Sequence, residues 1–334
     1  MINIPEKIER DIYPYLPLQI THLLQQVDEA VLRNIIEIRL RTNRPLQLVL
    51  PNCKYAVQEH GKLSSDFQKG YICSEVDVTH TIQAMSKNSF YALEQELRMG
   101  YITLEGGHRV GIAGQAILND GKLKAIKNIS SMNIRISREI KNCAEPILPY
   151  LIDHNDRIFS TLIIAPPRCG KTTLLRDIVR SLGSRKVNFS GVQVGVVDER
   201  SEITACKNGV PTLDIGDCVD VLDGCPKSTG ILMLIRSMAP DVIVTDELGR
   251  KEDVIALSEA LHAGVSVITS VHGDCVEDVR NRPYVKQLIE EKYFDRYVVL
   301  TNRPGIGTVR EIVSVKDETV LFLRKNEKGA FLCY

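Results

Sequence analysis

One stretch constrains this chain more than any other: Phe159–Arg176, FSTLIIAPPRCGKTTLLR. An apolar run (Thr161–Ile164) enters the loop Ala165-Pro166-Pro167-Arg168-Cys169-Gly170-Lys171-Thr172, and a helix led by Thr173, Leu174 and Leu175 leaves it. This is the pattern of a phosphate-binding loop, with Ala165 in place of the first glycine. A helix N-terminus offers unpaired N–H groups and a positive dipole end to an anion. Gly170 lets the backbone wrap closely around phosphates. Lys171 reaches the β- and γ-phosphates as a point charge, and Thr172 offers a hydroxyl to Mg²⁺. The expected ligand is therefore ATP with Mg²⁺, cradled by residues 165–173. Ala165 must keep a conformation open to L-residues, because positive φ is costly there.

Binding alone does not hydrolyse a nucleotide; a metal and a positioned water are also needed. The segment Asp241–Glu247, DVIVTDE, reads as a buried strand ending in two adjacent carboxylates. Asp246 is placed to hold Mg²⁺ and Glu247 to polarise the attacking water as general base. Two further strand ends carry polar groups: Asp198, Glu199 and Arg200 close GVVDER, and Ser270 and His272 close SVITSVHG. In a parallel sheet these ends share the edge where ligands bind, so His272 is a candidate sensor of the γ-phosphate. Arg200, Arg236 and Arg250 are candidates to neutralise the transferring phosphate, from the same subunit or a neighbour. The other histidines, His22, His60, His80, His108, His154 and His262, have no ligand-like spacing.

Short apolar strands at 159–164, 192–198, 241–246, 265–270 and 296–301 alternate with helical stretches. That alternation predicts an α/β domain with a largely parallel sheet. The region before it reads differently. Apolar residues recur at helical spacing from Ile8 to Val31, broken by Pro14 and Pro17 into two short helices. Ile36–Arg41 alternates strictly as a strand, and Leu46–Leu50 follows it after a turn. Val76–Leu97 reads as helix, with Asn88–Ser89 as a possible cap. Gly100–Ile117 alternates around Gly106–Gly107 as a hairpin. A second turn follows at Asn119–Gly121, then a strand over Lys124–Ile136. The expected organisation is a small α+β domain (1–140), a linker (141–157) marked by Glu145, Pro146 and Pro149, and a P-loop ATPase domain (158–334). Arg39, Arg41, Arg109, Arg135 and Arg138 lie on the alternating strands of the first domain. Residues two apart share a strand face, so Arg39 and Arg41 form one basic face. That face is either solvated or closes over phosphates of the same or the next subunit.

The 42 basic and 42 acidic residues cancel, which disfavours a protein that grips nucleic acid by bulk charge. Aromatic residues make up only 5%, with no tryptophan, so there is little surface for stacking single strands. Every apolar run is interrupted by charge well short of a membrane span, and the first residues lack a signal-peptide core. Nine scattered cysteines with no CxxC pair fit free thiols in a reducing cytosol better than a disulfide or zinc framework. The expectation is a cytoplasmic protein that meets a membrane only through partners.

Seven stretches together resemble one family: EIRLRTNRPL (37–46), GYITLEGGHRVGIAG (100–114), ISSMNIRI (129–136), CGKTTLLRD (169–177), GVVDERSEI (195–203), DVLDGCPKSTGILMLIRSMAPDVIVTDELGRKED (220–253) and ALHAGVSVITSVHG (260–273). They closely resemble the stage III sporulation protein AA family of endospore-forming bacteria. That family is similar in turn to the ring-forming, usually hexameric ATPases of type II and type IV secretion. Their N-terminal domain closes over nucleotide held on the C-terminal domain. The resemblance implies a mother-cell ATPase, a homo-oligomeric ring working with membrane-embedded stage III channel proteins that reach the forespore. It implies that Lys171 and Thr172 bind phosphate and metal, and that Asp246 and Glu247 form the Walker-B pair. It places Asp198–Arg200 at an acidic box and His272 at a histidine box. Secretion ATPases read G-E-I-R where this chain has Asp246-Glu247-Leu248-Gly249-Arg250, so the arginine is displaced by one place. Arg200 stands where they have a neutral turn. Two other readings remain: an ATP-dependent assembly switch with slow turnover, and a nucleic-acid-dependent ATPase.

Overall fold

The computed structural model describes residues 4–51, 53–86, 100–119, 122–184, 191–280, 282 and 284–324. The chain divides into two compact units, Met1–Arg138 and Glu139–Tyr334.

The first unit is built on a seven-stranded antiparallel sheet. In chain order its strands are β1 (Glu37–Arg41), β3 (Gln47–Val49), β4 (Lys54–Val57), β5 (Leu63–Ser64), β7 (Tyr101–Thr103), β8 (Arg109–Asn119) and β9 (Lys122–Arg135). Across the sheet the order is β5-β4-β3-β1-β9-β8-β7, and a small pair, β2 (Arg44–Pro45) with β6 (Ile72–Cys73), stands apart. The alternation read from the sequence sets the faces: Ile38, Leu40, Val110, Ile112, Met132 and Ile134 point into one core. The N-terminal helices Ile4–Asp11 and Leu18–Gln25 cover that core with Ile8, Ile20 and Leu24, and a single 3₁₀ turn at Tyr13–Tyr15 contains Pro14. The expected hairpin forms between β7 and β8, with Gly106 and Gly107 both at positive φ. A side chain at Gly106 would collide with Asp11 Oδ2 at 2.3 Å. The helix expected over 76–97 is present as Glu75–Met85, opened by a Ser74–Asp77 capping box. Its continuation through Asn88–Ser89 and the turn at Gly121 lie outside the described residues.

The second unit carries an eight-stranded sheet: β10 (Thr161–Ala165), β11 (Val194–Asp198), β12 (Val219–Asp223), β13 (Val242–Glu247), β14 (Ser266–His272), β15 (Arg296–Thr301), β16 (Thr308–Ser314) and β17 (Thr319–Leu323). Their order is β12-β11-β13-β14-β10-β15-β16-β17. The first six run parallel and the last two are antiparallel additions, so the fold is α/β with a largely parallel sheet, as expected. Strand β10 is buried on both faces: Ile163 and Ala165 enter one core, Leu162 and Ile164 the other. That is why it reads as a continuous apolar run rather than an alternating one. Ala144, Ile147 and Leu151, from the segment expected as a linker, belong to the first of these two cores. Among the described residues no helix is long and apolar enough to cross a membrane.

Candidate functional site: a phosphate cradle at the sheet edge

Strands β10, β11, β13 and β14 are parallel neighbours, so their C-terminal ends share one edge of the sheet. Ala165 closes β10 in extended backbone that suits an L-residue. The loop then turns through Arg168 (φ +62°) and Gly170 (φ +82°) into the helix Lys171–Leu182. A Cβ on Gly170 would sit 3.2 Å from Gly307 Cα, so glycine answers both the positive φ and the close approach. Lys171 is only 9% exposed. Its ammonium donates to the Ala165 carbonyl at 3.3 Å and to His272 Nδ1. Burial lowers its pKa, and the Glu247 carboxylate works against that.

The β10–β14 register pairs Ala165 with His272, which brings the histidine to the phosphate loop. Its other nitrogen, Nε2, lies 2.7 Å from Glu247 Oε2. Lys171, His272 and Glu247 therefore form a chain across three elements. Lys171, Thr172, Glu199, Arg200, Asp246, Glu247, Arg250 and His272 all line one open cavity of about 280 Å³. Of the loop residues, Pro167 and Arg168 are exposed at the tip and Cys169 is buried in the core. Pro166, Pro167, Arg168, Cys169 and Thr173 do not line the cavity. A loop that binds phosphate through its backbone does not require those side chains to do so.

Asp246 is 8% exposed, and burial pushes its pKa up to about 6, with Asp198 and Glu199 adding to the rise and Lys227 opposing it. Its Oδ1 pairs with Lys227 Nζ at 2.8 Å and keeps a second lone pair. A buried carboxylate oxygen with spare acceptor capacity, lining the same cavity as Thr172, fits a Mg²⁺ ion that keeps most of its ligands from water and phosphate.

Asp198 departs from its expected place among the ligand-facing carboxylates. It is fully buried and accepts the backbone N–H groups of Glu202, Ile203 and Thr204 and the Thr204 hydroxyl, at 2.8–2.9 Å. From the other side Arg176, on the phosphate-loop helix, donates to the carbonyls of Glu202 and Ile203 at 2.6 Å. The pair clamps the turn that presents Glu199 and Arg200. Arg236 also lies elsewhere, exposed in the last turn of the helix Lys227–Ser237 beside Glu252 and Glu259.

Two site residues were not singled out by the sequence reading. Asp253 accepts the N–H groups of Gly249 and Arg250 at 3.3 and 3.1 Å, fixing the turn that carries Arg250. Lys227 reaches both Asp246 and Glu199. A signal for it was present: a lysine directly after Pro226 at the first position of a helix, where the dipole disfavours a cation.

A family model described as "Sporulation stage III, protein AA" matches residues 6–320. The chain is 44% identical over 311 residues to Stage III sporulation protein AA of Bacillus subtilis, covering 93% of this chain and 96% of that one. Among solved structures it resembles the ATPase DotB of Legionella pneumophila (TM-score 0.54, 16% identity, 86% of this chain and 77% of that one). It also resembles DotB of Yersinia pseudotuberculosis (TM-score 0.54, 13% identity, 92% and 82%). At such identities these structures speak to the fold, which is that of P-loop secretion ATPases.

Proposed function

Because this chain belongs to the sporulation stage III protein AA family, we propose that it is an ATP-hydrolysing motor or gate of a membrane-embedded sporulation channel between mother cell and forespore. In this reading it is a cytoplasmic protein of the mother cell, acts as a homo-oligomeric ring, and meets the membrane through its channel partners. One observation carries the enzymatic part. A single cavity gathers the helix N-terminus at Lys171–Thr172 with the adjacent carboxylates of β13 and His272 of β14.

The N–H groups at the start of the helix Lys171–Leu182 bind phosphate oxygens, and Lys171 exchanges His272 for the γ-phosphate. Thr172 and Asp246 would hold Mg²⁺, which neutralises charge on the transferring phosphoryl group. Glu247 orients and deprotonates the attacking water. Arg200 and Arg250 face the same space and counter the negative charge of the transition state.

Lys171→Ala tests this directly. Binding of a fluorescent ATP analogue should weaken and phosphate release should cease; unchanged affinity and rate would end the reading. A second reading, an assembly switch with slow turnover, draws on the Lys171–His272–Glu247 chain, which keeps the base engaged in this state. Phosphate release measured with and without the membrane partners separates the two, because a motor accelerates on engagement and a switch stays slow.

A further inference from the structure

The cavity contains a second lysine to which the proposed hydrolysis gives no task. Lys227 opens the helix Lys227–Ser237, and its side chain is only 8% exposed. Nζ lies 2.5 Å from Glu199 Oε2 and 2.8 Å from Asp246 Oδ1. A buried ammonium at a helix N-terminus opposes both solvation and the helix dipole, so the two carboxylates must hold it there. Its position is also fixed from behind. Gly230, one turn on, lies so close to β11 that a Cβ would meet Val197 Cγ1 at 2.6 Å. The first turn of the helix is thus pressed onto the strand that ends in Asp198 and leads into Glu199. Two carboxylates against one ammonium leave about one negative charge, and Asp246 Oδ1, paired with Lys227 at 2.8 Å, still has a second lone pair to offer.

We infer that Lys227 is a tethered counter-cation that occupies the charge position between Glu199 and Asp246, so that a divalent metal enters this site only together with nucleotide phosphates. The inference rests on the proposed role of Asp246 as a metal residue. Without nucleotide, a divalent ion approaching Asp246 meets a fixed ammonium a few ångströms away and only one surplus negative charge. Such ions bind these sites through one or two carboxylates plus substrate phosphates. The added phosphate charge overcomes the repulsion that Lys227 imposes. Lys227 is a positioning residue: it sets which partner Asp246 has before the nucleotide arrives.

Mn²⁺ alone, followed by its free-ion electron paramagnetic resonance signal, tests this on the full chain. Nucleotide-free wild-type protein should bind Mn²⁺ weakly. Lys227→Met should bind it about tenfold more tightly or better, the least expected when a charge 2.8 Å from the ligand oxygen is removed. Lys227→Arg should behave as wild type, and Lys227→Met with Asp246→Asn should lose the gain. If Lys227→Met does not fold, Lys227→Gln, which can hydrogen-bond both carboxylates without the charge, takes its place. No gain in the folded neutral variant overturns the inference while leaving the nucleotide site intact. A wild-type protein that fails to take up Mn²⁺ even with a non-hydrolysable ATP analogue overturns the reading of Asp246, and this inference with it.

Discussion

Glu247 Oε2 and His272 Nε2 lie 2.7 Å apart, although the two residues end different strands. The ammonium of Lys171 donates to Nδ1 of the same ring, so the imidazole proton sits on Nε2 and points at the carboxylate. Glu247→Gln keeps the shape and can still accept this hydrogen bond through its amide oxygen, but it loses basicity. ATP should remain bound while hydrolysis falls by about 10²–10⁴, the usual worth of a general base. Wild-type phosphate release from this variant would place the base elsewhere.

Removing the ring tests the connection rather than the base. His272→Ala frees both Lys171 and Glu247 from their shared partner. Nucleotide affinity should hold or rise slightly, since Lys171 no longer has to exchange partners. Turnover should fall by about 10²-fold through misplacement of Glu247. A parallel loss of affinity and rate in titration and single-turnover measurements would instead make His272 a phosphate ligand.

Asp198 and Glu199 are sequence neighbours with opposite duties. Asp198 satisfies four donors inside the protein, whereas Glu199 lines the cavity. Asp198→Ala strands those donors and should destabilise the second unit by about 3–5 kcal/mol. Glu199→Gln removes one of the two carboxylates on the buried Lys227 but leaves Asp246 in place, so it should lower the melting temperature less than Asp198→Ala. Equal melting temperatures for wild type and Asp198→Ala would contradict the clamp.

That contrast also marks how far the sequence could be read. The phosphate loop, the carboxylate pair of β13 and the histidine of β14 were legible because each ends a doubly buried, apolar strand. Their meeting at one edge follows from parallel topology alone. Asp198 was misplaced because side-chain direction at a strand end depends on the turn that follows, and here three backbone N–H groups and the Thr204 hydroxyl draw it inward. Lys227 carried a local anomaly but no partner in sequence; its two carboxylates lie 28 and 19 residues away. Strand β12 was missed because the two carboxylates in VDVLD, Asp220 and Asp223, break any two-residue apolar period, and an only half-buried strand tolerates them. The β16–β17 hairpin, whose last strand is largely exposed, gives no clear apolar period.

A histidine with no ligand-like spacing, His108, turns out to be fully buried. Its Nδ1 accepts the Ser137 N–H at 3.1 Å, and Nε2 faces Asp11 Oδ2 at 3.5 Å. Burial lowers the His108 pKa. Asp11 titrates at about 2: burial would raise it, and the facing His108 and the paired Arg10 outweigh that. Both shifts leave the unfolded chain holding more protons at acid pH, so stability rises with pH through each window. The His108 contribution is complete above its unfolded value near 6.5 and is lost as pH falls below it. That of Asp11 is complete above about 4 and is lost toward 2. Urea unfolding of the first unit should therefore weaken from pH 7 to 5, and His108→Gln should flatten that limb. An unchanged slope in His108→Gln would refute the assignment.

The proposed ring makes its sharpest demand on the arginines. Arg200 and Arg250 already line the cavity of their own chain. In the first unit Arg39 is bound to Glu37 at 2.5 Å, and Arg138 donates to the carbonyls of Arg33 and Ile35, so both are engaged locally. Arg41 shares the face of Arg39 on β1, and burial and the Arg39 charge lower its pKa against the opposing pull of Cys73 and Glu37. If a neighbouring subunit supplies Arg41 to the transition state, its loss should cost about 10³–10⁵ in rate, and turnover should rise steeply with protein concentration. Lys171→Ala and Arg41→Ala proteins, each inactive alone, should recover activity when mixed, because some interfaces then join an intact phosphate loop to an intact arginine. Concentration-independent turnover by a monomer, with no recovery on mixing, would leave hydrolysis to Arg200 and Arg250 within one chain.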